Sequence, residues 1–270
     1  MLAFDTHGSG EPLVLVHGLA TTRLIWRRVV PLLRDGREIT ALDVPGFGES
    51  PPAGPGFELE AVADVIAEGL AHIDGPIDLV GHSLGGSLVI ALAERHPERV
   101  RKLVLVAPAG LRRMPAPLAR VVGAAAERAI PVRRFGAPLA DTEWGRRLLM
   151  SPGTADPASI PPAEVRAMLH ASAGAERIAD ALRAAASADL RERLARLPMP
   201  VGAIWGERDR IIPSGGVETL LAARPGAPVQ RVPGTGHIPM MERPQAFAAA
   251  LVRTLRALSP TENITEGVTD

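Results

Sequence analysis

Cysteine is absent from the 270 residues. Disulfides, thiolate nucleophiles and cysteine zinc sites are therefore excluded. Tyrosine is also absent, and the aromatic complement is three Trp and five Phe. A pocket that stacks aromatic substrates has little to draw on. Lysine occurs once, at Lys102, in an Arg-Lys pair ahead of an apolar run, which weighs against a Schiff-base lysine. Charge of either sign is not in excess: Lys plus Arg and Asp plus Glu both number 30. A nucleic-acid or polybasic membrane partner would call for surplus positive charge, so neither is expected. No apolar run reaches the roughly 18 residues of a membrane span. The opening MLAFDTHGSGEP lacks the basic region and apolar core of a signal peptide, so the expectation is a soluble cytoplasmic protein. There is no HExxH and no clustering of His with carboxylates, so neither a metal nor a cofactor is expected.

What is present is an alternation. Apolar runs at 13–16 (LVLV), before Asp43, at 77–80, at 103–106 and at 201–205, and lastly APVQRV at 227–232, read as strands. Segments with helical spacing at 24–33, 57–73, 87–94, 216–223 and 244–258 lie between or after them. Continuous apolar strands alternating with amphipathic helices indicate an α/β fold, a mostly parallel sheet with helices on both faces. The alternation stops between 111 and 196. That stretch is rich in Ala, Arg and Pro, with helical segments near 116–130, 142–150, 162–170 and 175–195 and no convincing strand. The predicted organisation is a core of 1–110 and 197–258, a helical insertion at 111–196, and a polar tail at 259–270 expected to be disordered.

One turn carries chemistry. Gly81-His82-Ser83-Leu84-Gly85 is a G-x-S-x-G between an apolar strand and a helix. A serine on such a turn takes a strained backbone, lifts its hydroxyl clear of the sheet, and crowds the positions two before and two after it. The other reading of the pentapeptide is a glycine-rich turn that only packs helix on strand.

A serine hydroxyl needs a base. Seven histidines compete. His7 lies in what reads as the opening turn. His72 and His96 sit near helix ends, where histidines cap carbonyls. His170 falls in the insertion, and His82 is turned away from the hydroxyl by the elbow. His17 closes the first apolar run and reads as a loop-ordering residue. His237, in PGTGHIPMMERP, follows the last strand on a loop with no periodic role. The base needs a carboxylate to fix its tautomer. Asp209 stands just past a strand, with Glu207 as the competitor two residues away. The loop after 103–106 has no carboxylate. Two backbone N–H groups are needed for an oxyanion: Leu84, after the serine, and Leu19 in HGLATT. All four pieces fall at strand C-terminal ends, where an open parallel sheet keeps its site.

Together HGLA, DVPGFGES, GHSLGG, VRKLVLVAPAG, IWGERDRIIP and GTGHIPMMERP resemble the α/β-hydrolase superfamily, in its group of small serine esterases with a helical cap. The likeness spans about residues 10 to 258. It implies Ser83 as nucleophile, His237 as general base, Asp209 as orienting acid, and Leu19 and Leu84 as oxyanion donors. It implies two-step acyl transfer on a small-molecule, apolar, ester-like substrate, with the insertion covering an acyl pocket. His17, Gly18, Met240 and Met241 are expected at that pocket, and Asp43 is assigned to structure. Arg23 is considered as a contact for an acidic substrate. Relatives often carry a further strand before GSGEPLVLVHG, and here that edge strand looks missing or shortened. Dehalogenase and epoxide-hydrolase branches place an aspartate where Ser83 stands, so neither is favoured. The branch that cleaves carbon–carbon bonds often carries Asn before the serine, and His82 leans toward esterases. Carbon–carbon or lactone-specific hydrolysis on the same residues, and a binding protein that has lost turnover, stay as alternatives.

Overall fold

Every interior strand is buried along most of its length, so both faces of the sheet must be covered. The computed structural model describes residues 1–112, 115–173, 175, 177–212 and 215–259. The strands are β1 (Phe4–Gly8), β2 (Glu11–Val16), β3 (Arg37–Leu42), β4 (Ile77–His82), β5 (Val100–Val106), β6 (Val201–Gly206) and β7 (Val229–Val232). They form one sheet in the order β1-β3-β2-β4-β5-β6-β7. All neighbours pair in parallel except β1, which runs antiparallel to β3.

The edge strand that looks missing or shortened in the sequence is present as β1, five residues long. β1 pairs with β3 from Phe4↔Leu42 to Gly8↔Glu38, so His7 is a strand residue and not part of a turn. All five β1 residues are exposed. Backbone pairing holds the strand, helped by surface contacts of Thr6 with Thr40, Asp5 with Arg23 and Phe4 with His72, and no apolar run announces it.

Strand side chains alternate between two cores. Val14, Val16, Leu79, Leu103 and Leu105 face one, with α2 (Leu59–Gly69) and α3 (Leu84–Arg95). Leu13, Leu15, Val80, Val104 and Val106 face the other, with α1 (Val30–Leu33) and the closing helix. Burying each such side chain contributes about 1.5–3 kcal/mol.

Chain order places the site. From β2 the chain moves out to β3, then returns to β4 on the opposite side of β2. The ends of β2 and β4 therefore lie side by side, Val16 opposite Gly81, while their following loops diverge. This is the switch-point crevice of an open parallel sheet.

Between β5 and β6 the described residues form no strand. They form α4 (Ala116–Val132), α5 (Glu143–Met150), α6 (Pro162–Ser172), α7 (Ile178–Ser187) and α8 (Arg191–Arg196). A 3-10 stretch, Arg133–Asp141, links α4 to α5. The predicted helix over 175–195 is instead two helices. Ala188 turns extended, and Leu190, fully buried, donates its N–H to Gly110 O at 3.0 Å. The chain closes with α9 (Gly215–Ala223), α10 (Pro239–Glu242) and α11 (Pro244–Ala257). Of the predicted tail at 259–270, Ser259 accepts from Lys102 Nζ at 2.8 Å, and the rest lies outside the described residues.

Candidate active site

Ser83 sits between β4 and α3 with φ +54° and ψ −116°, a conformation an L-residue rarely adopts. The turn is locked from several sides. Ser83 N–H donates to Val106 O at 2.9 Å, and Ser83 O accepts from Gly86 and Ala109, both at 2.9 Å. The flanking glycines have a steric cause. A Cβ on Gly81 would stand 2.4 Å from Gly85 O, and one on Gly85 2.4 Å from His17 O. The backbones of elbow, helix and β2 loop meet with no room for a side chain.

His237 is held on three sides. Its Nδ1–H donates to Asp209 Oδ2 at 2.8 Å. Its backbone N–H donates to Gly153 O at 2.9 Å, and its carbonyl accepts from His82 Nε2–H at 2.8 Å. With the Nδ1 proton on Asp209, Nε2 is left as the accepting nitrogen. Asp209 is buried and accepts two backbone N–H bonds, from Ile211 at 2.8 Å and Ile212 at 2.9 Å. Glu207 is exposed and accepts from Gly234 N–H at 3.0 Å. Of the two carboxylates weighed from the sequence, Asp209 faces the imidazole.

Ser83 and His237 line one cavity of about 470 Å³. Ser83 Oγ has no hydrogen-bond partner among the described residues and opens to that space. Such contacts are often long in a free enzyme and tighten with substrate. Leu19 and Leu84 line the same cavity, and neither backbone N–H has an acceptor among the described residues. Leu84 opens α3, so its N–H has no place in the intrahelical ladder.

The pocket residues expected from the sequence are placed elsewhere. His17 is fully buried behind the loop. Its Nδ1–H donates to Gly18 O at 2.8 Å and its Nε2 accepts Val44 N–H at 2.9 Å. Burial holds its pKa down at about 4, against the opposing pull of Asp43. Gly18 is a spacer: a Cβ there would come 2.9 Å from both His82 Nδ1 and Ser83 Cβ. Met240 and Met241 are packed in the core beside Phe247 and Trp26. None of these four lines the cavity. Its walls instead come largely from the insertion, through Val122, Met150, Met168, Ala181, Leu182 and Ala185, with Ile211, Ile212 and Ile238 from the core. Arg23 does not reach it either. It binds Asp5, Asp43 and Glu49, and Asp43 also accepts the N–H of Glu49 at 3.0 Å.

Three residues escaped the sequence reading. His82 lines the cavity and supports the His237 carbonyl. Burial, with the neighbouring His237, pushes its pKa well below the ordinary histidine value. Glu242 is buried and accepts three backbone N–H bonds: Gly236 at 2.7 Å, Asp156 at 2.8 Å and Ala155 at 2.9 Å. Arg133 lines the cavity from the insertion. For Glu242 the only sequence signal is a carboxylate in a stretch otherwise bound for the core. For Arg133 there is none, because its neighbours are equally Arg-rich.

Comparison with known proteins shows the family. The profile of the Alpha/beta hydrolase family matches residues 13–250. The chain belongs to that family. A Chromobacterium violaceum protein named pimeloyl-[acyl-carrier protein] methyl ester esterase is 32% identical over 258 residues, covering 94% of this chain and 98% of that one. A protein of the same name from Neisseria meningitidis serogroup C is 32% identical, covering 87% and 90%. Among solved structures, a thermophilic esterase from Thermogutta terrifontis, described with malate bound, is similar with a TM-score of 0.77. It is 27% identical, covering 96% of this chain and 94% of that chain. Among the described residues no helix is long and apolar enough to cross a membrane.

Proposed function

We propose that Ser83, His237 and Asp209 carry out the reaction of this family member, a serine hydrolase of carboxylic esters. The observation that carries the assignment is the His237 Nδ1–Asp209 Oδ2 hydrogen bond at 2.8 Å, beside a serine held at positive φ on the same cavity. His237 Nε2 takes the Ser83 proton as Oγ attacks the ester carbonyl. The N–H groups of Leu19 and Leu84 receive the oxyanion. Collapse expels the alcohol, which takes its proton from His237, and leaves an acyl-enzyme on Ser83. Water, deprotonated by His237, attacks that acyl group and restores the serine. Asp209 keeps the imidazole in the accepting tautomer and stabilises its cation.

The insertion at 111–196 serves as the cap that shapes the acyl pocket. The relatives named above act, by their names, on the methyl ester of a pimeloyl chain on acyl-carrier protein. We carry over from them a methyl or other small-alcohol ester of an aliphatic acyl chain. The pocket supports that choice, since among the described residues no Trp or Phe lines it and its walls are mainly Leu, Ile, Val, Met and Ala. The test is a fluorophosphonate probe followed by peptide mapping, with p-nitrophenyl esters of increasing chain length alongside. Labelling at Ser83, abolished in Ser83→Ala, with hydrolysis of aliphatic esters is the expected result. Labelling at another serine, or none with no ester turnover, would overturn the assignment.

A further inference from the structure

The cavity contains a half-buried cation that neither the chemistry nor the fold uses. Arg133 opens the 3-10 stretch after α4 and lines the cavity with Ser83 and His237. It is half-buried, and burial lowers the pKa of its guanidinium. Yet it has no hydrogen-bond or ion-pair partner among the described residues. Other arginines withdrawn from water in this protein are engaged. Arg101 and Arg37 share the buried Asp78, each at 2.8 Å, and the Asp78 hydrogen bond raises the Arg101 pKa. Arg193 bridges Glu60 and Glu94, and Arg224 donates to the carbonyls of Leu197 and Met199.

A half-dry, unpaired cation is unfavourable, because its lost hydration is not replaced. The cavity does not supply the missing charge, since no Asp or Glu among the described residues lines it. The other arginine on its wall, Arg210, is exposed and adds to the positive potential. We propose that Arg133 is the receptor for a carboxylate carried by the substrate, so that the preferred ester is a half-ester or other ester bearing one negative charge. One partly desolvated guanidinium matches one planar monoanion, which it binds in a bidentate fork. The apolar walls then take the aliphatic chain between the ester and that carboxylate. This rests on Ser83 hydrolysing esters in this cavity, and its test is separable from that assumption.

The experiment compares kcat/KM for monomethyl adipate and for dimethyl adipate, in the parent, Arg133→Met and Arg133→Lys. Acetyl glycolate against methyl acetoxyacetate forms a second arm, placing the carboxylate on the alcohol side. The ratio of anionic to neutral ester is expected to fall about 10–100-fold in Arg133→Met, the range of a charge-assisted hydrogen bond, with partial recovery in Arg133→Lys. The arm in which it falls identifies the side that carries the charge. An unchanged ratio in both arms would overturn the proposal, even with ester hydrolysis intact. Turnover of neither ester by the parent would instead count against the esterase assignment. Binding of adipate to Ser83→Ala by calorimetry reads the same site without turnover. It should exceed binding of adipamide by a similar factor, and equal binding of the two would overturn the proposal without any change at Arg133.

Discussion

The floor and the roof of the cavity are built on opposite terms. The floor is the set of loops at the C-terminal ends of β2, β4, β6 and β7, and Asp209, His17 and His237 are held in place there. Asp209 has three partners, both nitrogens of His17 are engaged, and His237 is gripped at its ring, its N–H and its carbonyl. The roof is α4 to α7, rich in Ala and Arg. Its large aromatics turn away from the cavity: Phe135 is 73% exposed and Trp144 66%. Its one cavity arginine is unpaired among the described residues. A preorganised floor is what transition-state stabilisation needs, since donors already fixed in place need no reorganisation at the moment of reaction. The roof supplies most of the apolar lining and can vary it without disturbing that geometry, which is why the proposed choice of substrate is placed there.

Breaking the floor should give the largest effects. Ser83→Ala should lower kcat/KM on a short p-nitrophenyl ester by about 10^4-fold or more, through loss of the proposed nucleophile. Ser83→Gly should be equally inactive yet more stable, by about 1 kcal/mol in urea unfolding, because glycine accepts positive φ without strain. A packing serine would show no such gain, and a destabilised Ser83→Gly would contradict the strained-elbow account. Asp209→Asn should cost about 10^4-fold in kcat by favouring the wrong imidazole tautomer. Glu207→Gln, two residues away, should leave kcat within a few-fold. Similar losses in both variants would mean that the assignment of the acid has failed.

The same contrast explains what the sequence made legible. The floor is governed by backbone crowding and continuous apolar strands, and both leave marks: G-x-S-x-G, HG after β2, and a carboxylate and histidine just past their strands. The roof leaves only periodicity. Its helices were readable, but the side of α4 or α7 that meets the cavity depends on packing against the core, so Val122, Leu182 and Arg133 were invisible as pocket residues. His17 and Gly18 misled for the reverse reason. They stand beside Leu19, the proposed oxyanion donor, in sequence, yet they pack behind that loop. Met240 and Met241 are one turn from His237, but α10 points them into the core. β1 escaped because its five residues bury nothing.

A smaller effect tests how tightly the floor is locked. His17 has a folded-state pKa of about 4 against an ordinary value of 6.5, so the unfolded chain takes up its proton first. Stability from this residue is therefore full above pH 6.5 and is lost as pH falls from 6.5 toward 4, amounting to about 3 kcal/mol. His82 contributes in the same direction. His17→Gln should flatten the fall in urea-unfolding free energy across that window. An unchanged slope would mean that His17 is not held neutral inside the protein.

The smallest expected effect probes the joint between roof and floor. Glu242, from α10, accepts N–H groups of Ala155 and Asp156 in the insertion and of Gly236 beside the base. Its carboxylate thus ties the segment that holds the His237 backbone N–H to the loop that carries His237. Gln at 242 keeps the shape but turns one acceptor into a donor aimed at other donors, a mismatch of about 1–3 kcal/mol. If the tie serves only the fold, Glu242→Gln will lower the melting temperature and leave kcat alone. If it positions the base, kcat will fall about 10-fold with KM little changed, because the imidazole is set loose while the cavity walls stay in place. The second outcome is expected, since Gly236 has no slack: a Cβ there would stand 2.7 Å from Ala155 N. A displacement at the joint therefore passes directly to His237.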